Sequence, residues 1–349
     1  MRQVLTLITN IIHNFLLLLI DFNRVDLHIT ALQKEVQRIA EKYDYLPYMI
    51  QRYLQFLGLE DTIKLLKANE KPLTPSIRVN TLKISALELK AKLEDKGFEL
   101  EKIEWIPYGY NIIKETHNLG SLHEYLQGYY YLQNVASMLS SIILDPKPNE
   151  LVIDMCASPG SKSTHLAQLM DNKGILILID KYKNRIPALL INIRRMGVIN
   201  SVLLNMDSIN LSELKIKADK ILLDAPCTGE GLIRQDPKRK KNKNMKDLKK
   251  MASIQRKLLK AGLSTLKSGG LLLYCTCSIA PEENELVVDN VLQNTNDFSI
   301  IEISKNYGEK GLTEVFGSKL IKGLELSRRL YPHIHDTIGF YYCLIKKTD

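Results

Sequence analysis

The stretch Leu151-Val152-Ile153-Asp154-Met155-Cys156-Ala157-Ser158-Pro159-Gly160-Ser161-Lys162 decides the fold. A short apolar run ends in an acidic residue, passes through a tight turn of small residues and opens a helix near Ser161. Such a strand–turn–helix unit aims backbone N–H groups at a ligand. One glycine stands where the dinucleotide fingerprint has three, and no G-x-x-x-x-G-K-[ST] phosphate loop is present. Downstream, Gly174–Ile179, Val202–Asn205, Lys220–Leu223 and Gly269–Tyr274 are further short apolar runs with helical segments between them. Buried runs alternating with helices specify a mostly parallel sheet covered on both faces. Ligands of such sheets sit beyond the carboxyl ends of the strands.

Those ends carry acids and thiols. Asp180 closes the second run, twenty residues after Gly160, where a carboxylate can accept from both hydroxyls of a ribose. Asp207 follows the third run and Asp224 the fourth. A single aspartate at a strand end is ordinarily a turn or helix cap. A run of them without three glycines suits an adenosine ligand that lacks phosphates, S-adenosyl-L-methionine. The fourth run leads into Asp224-Ala225-Pro226-Cys227-Thr228-Gly229 and the fifth into Tyr274-Cys275-Thr276-Cys277-Ser278. Adjacent parallel strands would bring both tips to one crevice.

Thiols beside a methyl donor have a chemical reason. Carbon 5 of a pyrimidine is a poor nucleophile until a thiolate adds to carbon 6 and pushes electron density onto it. The adduct must then lose the carbon-5 proton and expel the thiol, which divides the work between an attacking thiol and a group that aids release. Asp224 is placed to hydrogen-bond the ring N3 and exocyclic amine of cytosine. Isolated cysteines are usually buried and inert, and Cys343, the Cys156 thiol and Cys275 read that way.

Upstream, residues 27–70 read as short helices, with Leu32, Val36, Ile39, Leu46 and Met49 near helical spacing. Ile77–Leu82 alternates like a strand, 85–96 reads as a helix, and 102–106, 110–114 and 129–132 read as strands, making a small α/β unit. A helix follows Asn134 to Leu144. The expected domains are 1–73, 74–143 and 144–349. Val4–Ile20 is apolar but carries Thr6, Thr9, Asn10, His13 and Asn14, falls short of the ~20 residues of a membrane span, and reads as a helix packed on the body of the protein.

The 349 residues are 45% hydrophobic and 25% charged, which excludes a mainly disordered or fibrous chain. Five cysteines spread thinly point to a reducing, cytoplasmic setting rather than a disulfide framework, and no Cys/His cluster completes a metal site. Net charge is +9, and Lys238–Lys250 holds eight Lys/Arg against one Asp. Most charge runs are solvated faces. Lying next to the Cys227 tip, this one is expected to hold the phosphates of a polyanionic partner, through Lys240, Lys241 and Lys243.

D-M-C-A-S-P-G-S-K (154–162), D-A-P-C-T-G (224–229) and T-C-S (276–278) resemble the Nop/Sun family of RNA cytosine-5 methyltransferases. I-R-V-N-T-L (77–82), Gln133–Ser137 and Y-P-H-x-H-D-T-x-G-F (331–340) add to the likeness, which covers about residues 75 to 347. The resemblance implies an α/β, Rossmann-like S-adenosylmethionine-dependent methyltransferase domain, preceded by a small RNA-recognition-like α/β domain and an N-terminal helical segment. It implies Cys277 as nucleophile, Cys227 as the product-release thiol, and cofactor contacts at Cys156, Ala157, Ser158, Pro159, Gly160, Ser161, Lys162, Asp180, Arg185, Asp207 and Asp224. Ser158 stands where alanine is usual in the family, and Cys275 is an added thiol. DNA cytosine-5 methyltransferases place the nucleophile in the P-C motif instead, which would be Cys227, but the T-C-S match argues against that arrangement. Amino-group methyltransferases carry N/D-P-P-Y where this chain has D-A-P-C. The expectation is a monomer, not membrane-bound, that methylates tRNA, because its compact size resembles the family's smaller tRNA-modifying members. Ribosomal RNA is the alternative substrate, and a non-catalytic RNA-binding or assembly factor the alternative class.

Overall fold

The structure, a computed structural model, describes residues 33–303 and 307–348. The helix expected over Val4–Ile20 lies outside the described residues. Two compact units divide the chain, one ending at Thr62 and the other starting at Ile63. In the first, α1 (33–43) buries Val36, Ile39 and Ala40, and α2 (Pro47–Asn69) begins with Met49, Ile50 and Tyr53 buried. Gly58, at φ 76°, interrupts α2. Over residues 33–69 the expected short helices are therefore a helix and a longer, broken one, while 27–32, Leu32 among them, lie outside the described residues.

The second unit opens with a four-stranded antiparallel sheet of β1 (Ser76–Val79), β2 (Glu99–Lys102), β3 (Gly109–Lys114) and β4 (Tyr130–Leu132), in the order β2-β3-β1-β4. Helix α3 (Ala86–Glu94) starts from a capping box in which Ser85 Oγ accepts from the Glu88 N–H at 3.2 Å. It sets Leu89 and Leu93 on Ile77, Val79, Tyr110 and Ile112. Helix α4 (His123–Leu126) precedes β4. The strand expected over 102–106 is instead a pair of turns closed by Ile106 N–H to Ile103 O (3.1 Å) and Gly109 N–H to Ile106 O (2.9 Å). Ile103 and Ile106 leave the small sheet to be buried in the core of the large one, so their spacing only mimics a strand.

The large sheet holds β5 (Leu151–Asp154), β6 (Ile175–Ile179), β7 (Ser201–Leu204), β8 (Ala218–Asp224) and β9 (Leu266–Thr276), parallel in the order β7-β6-β5-β8-β9. Beyond β9 it turns antiparallel, a departure from the expected pattern. β10 (Phe298–Ile300), β11 (Glu309–Lys310), β14 (Arg328–Leu330) and β15 (Phe340–Lys347) complete that edge, β15 pairing with β9, β10 and β14, and β11 with β14. β12 (Glu314–Val315) and β13 (Ser318–Lys319) form a separate hairpin. One face carries α5 (Val135–Leu144), α6 (Ser161–Leu169) and α7 (Ile186–Met196), through Leu139, Leu166 and Leu189. The other carries α8 (Met245–Thr265) and α9 (Glu285–Leu292), through Leu259 and Val288. The chain reverses its direction of travel across the sheet between β5 and β8, which leaves a crevice at their carboxyl ends.

A buried polar seam joins the two sheets. Arg78, fully buried on β1, donates to Gln133 Oε1 (2.6 Å), the Ser161 carbonyl (2.7 Å) and Thr164 Oγ1 (2.8 Å). Burial lowers its pKa to about 9. Asn80 Nδ2 donates to the carbonyls of Gly128 and Met196, both at 2.8 Å. Tyr108 OH lies 2.8 Å from Nε2 of His165, whose own pKa burial holds well below the usual range.

Candidate active site

A cavity of about 330 Å³ opens at the carboxyl ends of β5, β6, β8 and β9. At one end stands Asp180, buried, accepting from the Ser158 and Tyr182 N–H groups at 3.2 and 2.9 Å, with Arg185 Nη1 at 3.5 Å. Asp207 caps the 3-10 turn Ser208–Leu214 by accepting from the Ile209 N–H at 3.1 Å. Partial burial works against its charge, but the hydrogen bond from Lys181 Nζ at 2.7 Å prevails and holds the carboxyl below its ordinary pKa. Asp154 lies beneath, accepting from Ser163 Oγ (2.7 Å) and the Cys156 N–H (3.3 Å), and burial pushes it up to about 6.

Cys156, Ser158, Asp180, Arg185, Asp207, Asp224, Cys227 and Cys277 all line this cavity. Ala157, Pro159, Gly160, Ser161 and Lys162 do not. After Ser158 the chain turns away into α6 through Gly160, at φ +105°, where a Cβ would stand 3.0 Å from Leu189 Cδ1 of α7. The glycine lets α6 pack closely on α7. Lys162 instead reaches Asp224, Nζ to Oδ2 at 2.8 Å.

At the far end Cys227 Sγ and Cys277 Sγ are 3.2 Å apart. The hydrogen bond with Cys277, reinforced by burial, raises the Cys227 pKa well above the ordinary thiol value. Cys275, two residues back along the strand, is fully buried, with Sγ 3.7 Å from Asp224 Oδ1 and 3.6 Å from Ser140 Oγ. Desolvation raises its pKa too.

The loop that carries Cys227 is clamped by Glu283, a residue for which the sequence offers no signal of a role. Glu283 Oε1 accepts from the Thr228 N–H at 2.8 Å, and Oε2 from Thr228 Oγ1 at 2.6 Å. Gln255 Nε2 bridges to the Pro226 carbonyl (2.8 Å) and to Glu283 (3.2 Å). The main chains of the two thiol loops also meet: the Gly231 N–H donates to the Cys277 carbonyl at 3.0 Å, and the Gly339 N–H to the Gly231 carbonyl at 2.9 Å. A Cβ on Gly231 would strike the Gly339 carbonyl.

The basic segment divides differently from the expectation. Lys240 is 8% exposed and pairs with Glu70, which withdraws it from any phosphate. Lys241 is exposed and Lys243 half-buried. Arg239 lines the cavity itself, with Nη1 donating to the Thr228 carbonyl at 3.0 Å. Among the described residues, no group of three or more His, Cys, Asp or Glu could hold a metal ion, and no helix is long and apolar enough to cross a membrane.

A parallel sheet of order β7-β6-β5-β8-β9 with a carboxyl-lined cavity at its crossover is the architecture of the Rossmann-like, S-adenosylmethionine-dependent methyltransferases. The donor set fits that cofactor: Asp180 offers a buried carboxyl group for ribose hydroxyls, Met155, Ile209 and Leu258 an apolar wall for a purine, and the thiols flank the opposite end. Residues 141–346 match the family described as 16S rRNA methyltransferase RsmB/F, and residues 46–135 match the N-terminal domain of 16S rRNA methyltransferase RsmF. The chain belongs to this RsmB/F (Nop/Sun) family. It is 34% identical over 325 residues to a 28S rRNA (cytosine-C(5))-methyltransferase of Mus musculus, covering 92% of this chain and 40% of that protein. To a tRNA (cytosine(49)-C(5))-methyltransferase of Pyrococcus abyssi it is 36% identical, covering 90% of this chain and 98% of that one. A solved methyltransferase homolog from Pyrococcus horikoshii superposes with a TM-score of 0.82 at 40% identity, over 90% of this chain and 99% of that one. The chain spans about half the length, or less, of its curated eukaryotic relatives.

Proposed function

We propose that the protein methylates carbon 5 of cytosine in RNA through a covalent cysteine–cytosine adduct, with tRNA as substrate. The observation that carries this reading is the pair of thiols, Cys227 and Cys277, 3.2 Å apart in the same cavity as Asp224. A lone thiol would serve many chemistries. Two facing thiols beside a carboxyl group suit a reaction that must both make and break a bond to sulfur.

Cys277, its thiol proton given up to solvent, adds Sγ to carbon 6 of the cytosine, and electron density moves to carbon 5. Asp224 holds the base by its exocyclic amine and N3 edge, with Lys162 fixing the carboxyl group from behind. S-adenosylmethionine, when bound, supplies an electrophilic methyl group. Cys227 enters the reaction as a thiol, the state favoured by its hydrogen bond and burial. Solvent takes the carbon-5 proton, the electron pair of that bond re-forms the 5,6 double bond, and the Cys277 sulfur leaves carbon 6 as a thiolate to which the Cys227 S–H donates. Arg239 lines the cavity and holds the Thr228 carbonyl next to Cys227.

Support for tRNA comes from the Pyrococcus abyssi relative, which this chain matches over nearly its whole length. Ribosomal RNA is the second reading, favoured by the ribosomal relatives. The test is methyl transfer from labelled S-adenosylmethionine into purified tRNA and, separately, ribosomal RNA, with the modified nucleoside identified by mass spectrometry. 5-Methylcytidine in tRNA alone is expected. Label confined to ribosomal RNA would overturn the substrate, and label in neither would overturn the activity.

A further inference from the structure

Helix α8 has three distinct faces. Leu248, Gln255 and Leu259 are buried, and Met251, Ile254 and Leu258 line the cavity that holds the two thiols. The third face carries Lys246, Lys249, Lys250, Arg256, Lys257 and Lys260. Steps of three, four and seven residues place these six on one stripe about 21 Å long. All are exposed except Arg256, which is half-buried.

This stripe is unlike an ordinary solvated face. The one acidic residue in the helix, Asp247, is committed to the cap, accepting from the Asn244 N–H at 3.0 Å. No carboxyl group pairs with any of the six cations among the described residues. Like charges three and four residues apart oppose the helix by a few tenths of a kcal/mol per pair. Lys246, Lys249 and Lys250 also sit in the first turns, where the helix dipole disfavours cations. The fold gains nothing from this arrangement. A polyanion lying along α8 would relieve the repulsion and would meet the positive end of the dipole as well.

We propose that the outer face of α8 is a docking rail for the phosphodiester backbone of the substrate RNA outside the target nucleotide. The identity of the polyanion rests on the RNA methyltransferase reading. The rail starts beside the cavity, where Lys250 and Lys257 adjoin its apolar wall, and leads away from it. An RNA strand with its target base at Cys277 would thus be gripped without regard to sequence.

The test uses Lys249→Gln/Arg256→Gln/Lys260→Gln, whose three side chains lie furthest round the helix from the cavity. Each phosphate left without its cation should lower the slope of log binding constant against log salt by roughly 0.7–0.9. The triple variant should therefore take about two off the slope and raise KM for full-length folded RNA about ten-fold, with kcat held and no fall in thermal midpoint. Lys249→Arg/Lys260→Arg should bind like the wild type. An unchanged slope in a folded variant would overturn the proposal, as would intact RNA binding together with abolished binding to phosphatidylserine vesicles. The slope is read from binding alone, so wild-type protein that fails to methylate RNA would count against the proposed function and leave the rail to be decided on its own result.

Discussion

Lys162 Nζ lies 2.8 Å from Asp224 Oδ2, although one residue opens α6 and the other ends β8, 62 residues apart. Burial works against the Lys162 charge, but Asp224, helped by the neighbouring thiols of Cys275 and Cys277, outweighs it and raises the pKa above that of an ordinary lysine. The cation therefore persists across the working pH range. Lys162→Met should cut single-turnover methyl transfer on the order of 100-fold, and Lys162→Arg should restore part of it. Full activity in the methionine variant would show that Asp224 needs no cation.

Exchange of the two thiols should give opposite phenotypes. Cys277→Ala is expected to abolish methyl transfer and leave no protein–RNA band on a denaturing gel. Cys227→Ala should accumulate such a band, because the adduct forms but is not released. Bands with the reverse assignment would make Cys227 the nucleophile.

Glu283 is fully buried, and its two oxygens take both donors of Thr228. Glu283→Ala would leave the Thr228 amide and hydroxyl without partners in the interior, at a cost of about 3 kcal/mol. Urea unfolding measures this directly. Loss of activity should accompany it, since the Cys227 loop then keeps only Gln255 on the Pro226 carbonyl, Arg239 on the Thr228 carbonyl and the Gly231–Cys277 main-chain bond. A midpoint equal to that of the wild type would mean that the loop has other anchors.

Asp154 gives stability a pH dependence of known sign. Burial raises its carboxyl to about 6 from the ordinary 3.8. Well below pH 3.8 folded and unfolded chains both hold the proton, and the group contributes nothing. As pH rises towards 6 the unfolded chain releases it first, so stability falls, and the full cost of about 3 kcal/mol is present above that. Asp154→Asn should remove this slope. Parallel unfolding free-energy curves for wild type and variant between pH 4 and 7 would rule the effect out.

The strands that build the crevice are legible in the sequence because buried parallel strands are nearly continuous apolar runs. β5 to β8 fall within two residues of where Val, Ile and Leu cluster. The first half of β9, Leu266-Lys267-Ser268-Gly269, is hidden because its polar residues are exposed and read as a turn. β15 is hidden because Phe340–Lys347 carries a motif but no period to mark it as the partner of β9. Acids and thiols at strand ends are legible for the same reason as the strands. Glu283, Gln255 and the Lys162–Asp224 pair are not, because each depends on partners from distant segments, and a buried polar residue leaves no periodic trace. Lys240 misleads in the opposite sense: its charge is visible in the sequence, but its pairing with Glu70 is not.

The meeting of Gly231, Gly339 and the Cys277 carbonyl joins three stretches of main chain without using a side chain. The separation of the two sulfurs is thereby set apart from the residues that shape the cavity wall. Met251, Ile254 and Leu232 line the cavity wall without entering that crossing, so replacing them leaves the crossing's own hydrogen bonds in place. The two glycines, by contrast, admit no replacement. Under the proposed function, the wall that meets the substrate is thus built largely apart from the crossing that spaces the two sulfurs, with Arg239 the residue that belongs to both.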